Sequence, residues 1–256
     1  MFFNALMMVF ACDGGSAPEP TVDPEPATPS LDDITFLTEE YPPFNYTADD
    51  QLDGASVALL EAALKKAGAS KTRADFTVVK WADGYERVQK EANTCLFSMT
   101  YTPERAPLFQ WAGPIAETRI AVIAKKDAGV TISAAEDLAN YTHGAFKDDV
   151  GQQLLATAGV PADKVKIEAD TAVLMKDLSE GTIQTWAFEE SSARYQLTAA
   201  GYDASEFETV YVLQESTVQY AFHKDTPPAL ISQLSQALGD LQASGERQKI
   251  LDAHLK

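Results

Sequence analysis

Residues 98–111 read SMTYTPERAPLFQW. One guanidinium, Arg105, stands in a run built mainly from hydroxyls, aromatics and prolines. A strand is predicted over 94–99, and in an ideal strand Ser98 and Thr100 project from the same face. Arg105 is then one of two things. With Glu104 beside it, it is an ordinary surface residue. Alternatively it is a planar fork presented to a carboxylate, with which it can make two parallel charge-assisted hydrogen bonds.

Working outward, the N-terminal side predicts a strand over 34–37, a loop at Tyr41-Pro42-Pro43-Phe44, a helix over 57–67 closed by Gly68, a strand over 76–79 and a helix over 83–91. The pattern restarts near Ile115. Strands are expected over 119–124, 141–146, 165–168, 182–188, 210–214 and 218–222. Helices are expected over 133–139, 150–158, 172–180, 191–200, 229–244 and 246–254. Ser133 with Glu136 three residues on reads as a capping box for the first of these. Strands alternate with helices throughout, which specifies an α/β fold with a mostly parallel sheet. There is no GxGxxG, P-loop or GxSxG to support a nucleotide or hydrolase reading.

The chain has 256 residues and a net charge of −18, with 45% apolar content. That charge argues against a nucleic-acid or anionic-lipid partner, since both need clustered Lys and Arg. Cys12, Cys95, His143, His223 and His254 show no metal-type spacing, so neither a structural metal nor another cofactor is expected. Cys95, in Cys95-Leu96-Phe97, reads as a small core residue. The segment 1–12, MFFNALMMVFAC, is apolar but short of the roughly 20 residues a membrane helix needs. It resembles the end of a secretory signal, and Val9-Phe10-Ala11-Cys12 resembles a bacterial lipobox in which Cys12 is lipidated. Residues 13–30, DGGSAPEPTVDPEPATPS, have little to bury and read as a flexible tether.

Four segments in order resemble the amino-acid class of bacterial periplasmic solute-binding proteins. They are Tyr41-Pro42-Pro43-Phe44; Ser98-x-Thr100-x-Thr102-x-x-Arg105; Gly181 through Glu189; and Tyr220-Ala221-Phe222-His223-Lys224 before a proline-led helix. The resemblance covers 31–256. It implies two α/β lobes of the type II-like binding-protein fold, 31–115 with 221–256 and 116–220, joined by two crossings with the ligand cleft between them. Such proteins close by hinge motion.

The family roles then fall on Arg105 as carboxylate clamp, Ser98 and Thr100 as further hydrogen-bonding groups, and Tyr41 as an apolar face. Trp81 and Tyr85 are placed either in the side-chain pocket or in the core. Glu189 is expected to meet the ligand's ammonium from the second lobe, with Glu190 as its alternative. Asp148 and Asp149 replace a Gly-Thr-Thr-like turn, so they either point outward or meet a positive ligand group. The implied role is a monomeric receptor delivering an amino acid or similar zwitterion to an ABC permease. The alternatives are a dehydratase-like enzyme on the same fold and a ligand-presenting subunit for a membrane sensor.

Overall fold

Ser30 accepts from Asp32 N while Asp33 accepts from Ser30 N, closing a single turn ahead of the first strand. The computed structural model describes residues 1–2 and 29–255. The lipobox with Cys12, and all but the end of the 13–30 segment, lie outside the described residues.

The first lobe takes shape from β1 (Thr35–Thr38), the hairpin of β2 (Tyr46–Ala48) and β3 (Gln51–Asp53), α1 (Ala55–Lys66), β4 (Thr77–Val78), α2 (Trp81–Lys90) and β5 (Thr94–Thr100). β1 lies between β4 and β5, parallel to both. The chain leaves along β6 (Phe109–Lys125). The second lobe follows as β7 (His143–Phe146), α3 (Val150–Thr157), β8 (Val165–Glu168), α4 (Thr171–Glu180), β9 (Thr185–Glu189) and α5 (Glu190–Ala199). The chain returns along β10 (Phe207–His223) and finishes with α6 (Pro228–Ala243) and α7 (Glu246–His254).

The sheet order is β4-β1-β5-β10-β6-β9-β7-β8. β6 and β10 pair along their whole length and belong to both lobes. At one end Tyr220 to Phe222 pair with β5; at the other Ile120 to Ala124 pair with β9. Register shifts interrupt the ribbon between Thr209 and Tyr211, Val212 and Gln214, and Val218 and Tyr220. Such bulges bend and twist a strand pair, which lets one sheet serve two lobes.

Three expectations are corrected. The sheet is mixed rather than mostly parallel, because the two passes between lobes run in opposite directions and pair with each other: β5–β10, β6–β10 and β6–β9 are antiparallel. The strands expected over 210–214 and 218–222 are one strand; Glu215, Ser216 and Thr217 break the apolar pattern but stay in the ladder with Arg119, Thr118 and Glu117. Ser133 and Glu136 form no capping box. The turn spans Ala135–Asn140, and Asp137 accepts from Ser133 N and Ala134 N.

Ring edges fill the first-lobe core, with Phe36, Phe76, Phe97 and Phe222 in contact. Cys95 is fully buried among them, and burial pushes its thiol well above the usual range. In the second lobe His143 is buried, its Nε2 2.8 Å from Leu138 O and its Nδ1 2.6 Å from Thr185 Oγ1. Burial holds its pKa below the ordinary value. The unfolded chain therefore takes up this proton more readily than the folded one. Its contribution to stability is complete above about pH 6.5 and shrinks below it, by up to about 1.4 kcal/mol per pH unit. Buried carboxylates with raised pKa act in the opposite sense. Urea unfolding at pH 7.5 and 5.5 should therefore show a smaller acid loss in His143→Gln than in the parent; equal losses would refute the assignment.

Candidate ligand-binding site

Arg105 opens the turn Ala106–Leu108, and its backbone N–H donates to Thr102 Oγ1 at 3.2 Å. The side chain is 1% exposed. Nη1 donates to Thr100 O at 3.3 Å, and Nη2 reaches the other lobe to donate to Asp148 O at 3.4 Å. Cζ lies 5.2 Å from the Trp81 ring centre and 5.3 Å from that of Tyr85, two rings stacked on each other. Cation–π contact is attractive at such distances. Among the described residues Nε has no partner and no carboxylate forms an ion pair with this guanidinium. Both Nη bonds are long, hence weak and replaceable.

A cavity of about 290 Å³ lies between the lobes, close to the lower size limit of small-molecule sites. Glu39, Glu40, Tyr41 and Val79 to Trp81 line it from the first lobe; Phe146, Asp149, Ala169 to Thr171 and Phe188 line it from the second. Tyr41 packs against Phe44 and edge-on against Phe188 across the cleft, with ring centres 5.8 Å apart in the second pair. A larger groove of about 710 Å³, flanked by α1 and the 69–72 loop, lies on the outer face of the first lobe and shares no residue with the cleft.

Charge inside the cleft is poorly compensated. Burial, reinforced by the charge of Asp149, pushes the Glu39 carboxyl well above the usual carboxylate range, and Arg105 opposes this. Burial also raises Asp149, against the pull of Arg105 and the Val150 and Gly151 amides. The Tyr41 phenol is raised by burial and then by Glu189, Asp149 and Glu39.

The structure puts Tyr41 and Trp81 on the cavity wall. Arg105 does not line the cavity; it lies next to that wall, against the Trp81 ring and hydrogen-bonded to Asp148 O of the second lobe. Ser98 sits differently from its expected place. It has φ +64 and is bulged out of the ladder between Phe97 and Met99, so the alternation with Thr100 is broken. Its hydroxyl donates to Ser56 Oγ at 2.7 Å, tying β5 to α1. Thr100 contributes its carbonyl to Arg105. Glu189 is buried, and its Oε2 accepts from Ser192 N at 2.7 Å, capping α5; it does not line the cavity. Burial raises its pKa and the amides of Ser192, Ser191 and Arg119 hold it down. Glu190 is engaged by Thr209, Arg119 and Arg194. Glu39, Phe146, Phe188 and Asp170 went unassigned from sequence. Glu39 follows an apolar strand, a setting with no spacing signature.

The family described as bacterial extracellular solute-binding proteins, family 3, matches residues 34–256. The chain belongs to this family. The arginine-binding extracellular protein ArtP of Bacillus subtilis (strain 168) is 24% identical over 227 residues, covering 85% of this chain and 83% of that protein. The arginine-, lysine-, histidine-binding protein ArtJ of Geobacillus stearothermophilus superposes with a TM-score of 0.72 at 19% identity, covering 86% of this chain and 94% of that one. A histidine kinase sensor domain with similarity to periplasmic binding proteins superposes at 0.75 and 16% identity, covering 87% and 96%. At these identities the structural likeness establishes the two-lobed fold. Family 3 proteins are named for binding a solute outside the cell, not for turnover. Among the described residues no helix is long and apolar enough to cross a membrane.

Proposed function

We propose that this family 3 protein is a receptor for an amino acid, most simply a cationic one, that hands its ligand to an ABC importer. One observation carries the reading: a buried guanidinium that pairs with no carboxylate among the described residues and that hydrogen-bonds to both lobes. Lobe opening, with 31–115 and 221–256 on one side and 116–220 on the other, separates Nη2 from Asp148 O and frees it for a ligand carboxylate. Thr100 O orients the fork, while Tyr41 and Trp81 hold the apolar part. Ser98 and Glu189 act behind these, fixing β5 and α5. A ligand touching both lobes favours the closed state by its extra contacts there. The names of ArtP and ArtJ support arginine, lysine and histidine as the first ligands to try. Attachment through a lipid on Cys12 with 13–30 as tether, and a monomeric state, complete the proposal.

The likeness to a kinase sensor domain supports a second role, presenting ligand to a membrane sensor. A dehydratase reading is less well supported, because Glu189 and Glu190 are both committed to structural partners. Calorimetric titration with the common amino acids is the test. Binding confined to one class of amino acid is expected. Heat with none of them would overturn the proposal, and conversion of a small carboxylate substrate would move the protein to the enzyme reading.

A further inference from the structure

Asp32 fastens the first turn, Leu31–Asp33, to the outer face of the first lobe. Its Oδ1 accepts from Ser70 N at 2.8 Å and from Lys71 N at 3.3 Å. Ser70 and Lys71 line the groove of about 710 Å³ beside α1. The chain that precedes Pro29 therefore enters the fold at the rim of that groove.

The groove gathers positive charge in a chain whose net charge is −18. Lys65, Lys66 and Lys71 line it. Lys65 and Lys66 are exposed in the last turn of α1, and their ammonium groups have no hydrogen bond or ion pair among the described residues. The charge of Lys71 acts on Asp32 and Asp75, with no side-chain bond to either. Two acids share the groove. Glu61 is held by the backbone N–H, Nε and Nη2 of Arg73, and Glu246 is exposed in the first turn of α7. Between the charges the lining is small and apolar, from Ala58, Ala62, Ala69 and Leu241.

An occupant that matches lies in the chain itself. Residues 13–28 carry Asp13, Glu19, Asp23 and Glu25 and neither lysine nor arginine. Pro18-Glu19-Pro20 and Pro24-Glu25-Pro26 twice set an acid between prolines. Proline has a fixed φ and no backbone N–H to satisfy, so such a sequence has little freedom to lose on lying along an apolar groove. The groove follows α1 from Ala58 to Lys66, about 12 Å of helix. Residues 17–28 span about 37 Å at about 3.1 Å per residue, so reach is not limiting. Covalent linkage over so short a distance sets an effective concentration in about the millimolar range, and weak contacts then suffice.

We infer that the acidic stretch 17–28 docks in the lysine-lined groove of its own first lobe. Docking there fixes which way that lobe faces relative to whatever holds the N-terminus. The inference goes beyond the receptor reading and depends on neither the cleft nor a lipid on Cys12.

Zero-length carbodiimide coupling of the full-length protein, mapped by mass spectrometry, tests it. Amide links from Glu19, Asp23 or Glu25 to Lys65, Lys66 or Lys71 are expected at 0.1 M salt. They should be lost at 1 M, where the Debye length falls from about 10 Å to about 3 Å. Links spread evenly over the other lysines, or none from this stretch, overturn the docking. A mixture of isotopically light and heavy protein separates two occupants: links within one isotope support the inference, and hybrid links give the groove to a second copy and overturn it. A nitroxide on Val22→Cys, in a Cys12→Ser background with Cys95 buried, gives a readout that does not consume the lysines. Its motion should be slowed at 0.1 M salt, released in the Lys65→Gln, Lys66→Gln, Lys71→Gln triple variant, and slowed again when the same three residues are arginine. Equal motion in all three proteins overturns the docking. Neither readout uses a ligand, so failure here leaves the receptor reading untouched.

Discussion

Replacing Arg105 with methionine is expected to abolish amino-acid binding while the protein still folds. The substitution keeps an unbranched stem against Trp81 and Tyr85 and removes the charge. Loss of one partner of a buried charge pair costs about 2–5 kcal/mol of binding free energy, or about 30- to several thousand-fold in affinity. The free protein should not suffer correspondingly. Its guanidinium is buried and pairs with no carboxylate among the described residues, and replacing buried charge by well-packed apolar atoms is often neutral or stabilising. Arg105→Ala is a poorer probe, because it also leaves a void beneath the two rings. Calorimetry with whichever amino acid binds the parent, alongside urea unfolding of the ligand-free variant, gives the two readouts. Affinity within about threefold of the parent would remove Arg105 from the clamp role, since so small a change is below 1 kcal/mol.

Arg105, Tyr41 and Trp81 are picked out by the family resemblance rather than by spacing: on spacing alone Arg105 reads equally as a surface residue and Trp81 equally as core. The structure puts Tyr41 and Trp81 on the cavity wall and the Arg105 guanidinium 5.2 Å from the Trp81 ring centre. Ser98 leaves the expected alternation with Thr100, because alternation holds only while the ladder is regular and its positive φ ends it at that residue. The ligand role expected for Glu189 comes from the family resemblance. The adjoining helix N-terminus offers the Ser192 amide, which donates to the Glu189 carboxylate at 2.7 Å in a helix cap. The Glu39–Asp149 pair was illegible for a different reason. The two residues are 110 positions apart and meet only when the lobes face each other, a juxtaposition that depends on the twist of β6 and β10. That same ribbon hid its own length. The sequence pattern restarts near Ile115 and gives a strand only over 119–124, and the polar run Glu215-Ser216-Thr217 divides 210–214 from 218–222, yet residues 109–125 and 207–223 pair along their full extent.

The placement of Asp148 and Asp149 gives the second large effect, expected for Gly151→Ala. A Cβ at this position would lie 2.4 Å from Ala187 O and 2.9 Å from Ala187 C. Both atoms are backbone of β9 in the middle of the sheet, so no side-chain rotation relieves the contact and α3 has to move. α3 begins at Val150, immediately after Asp149, so its displacement carries Asp149 away from Glu39 and the Asp148 carbonyl away from Arg105. Overpacking of this kind costs about 1–3 kcal/mol, or about 2–12 °C in melting temperature for a chain of this size. Ligand affinity should fall with it, because the second-lobe wall of the cavity shifts. Gly239→Ala is the matched control. Gly239 is exposed within α6, and nothing lies within 4 Å of its added carbon. There alanine should raise stability slightly through its better helix propensity and leave binding unchanged. If Gly151→Ala melted and bound like the parent, the close approach of α3 to β9 would not be what positions the second-lobe wall of the cavity.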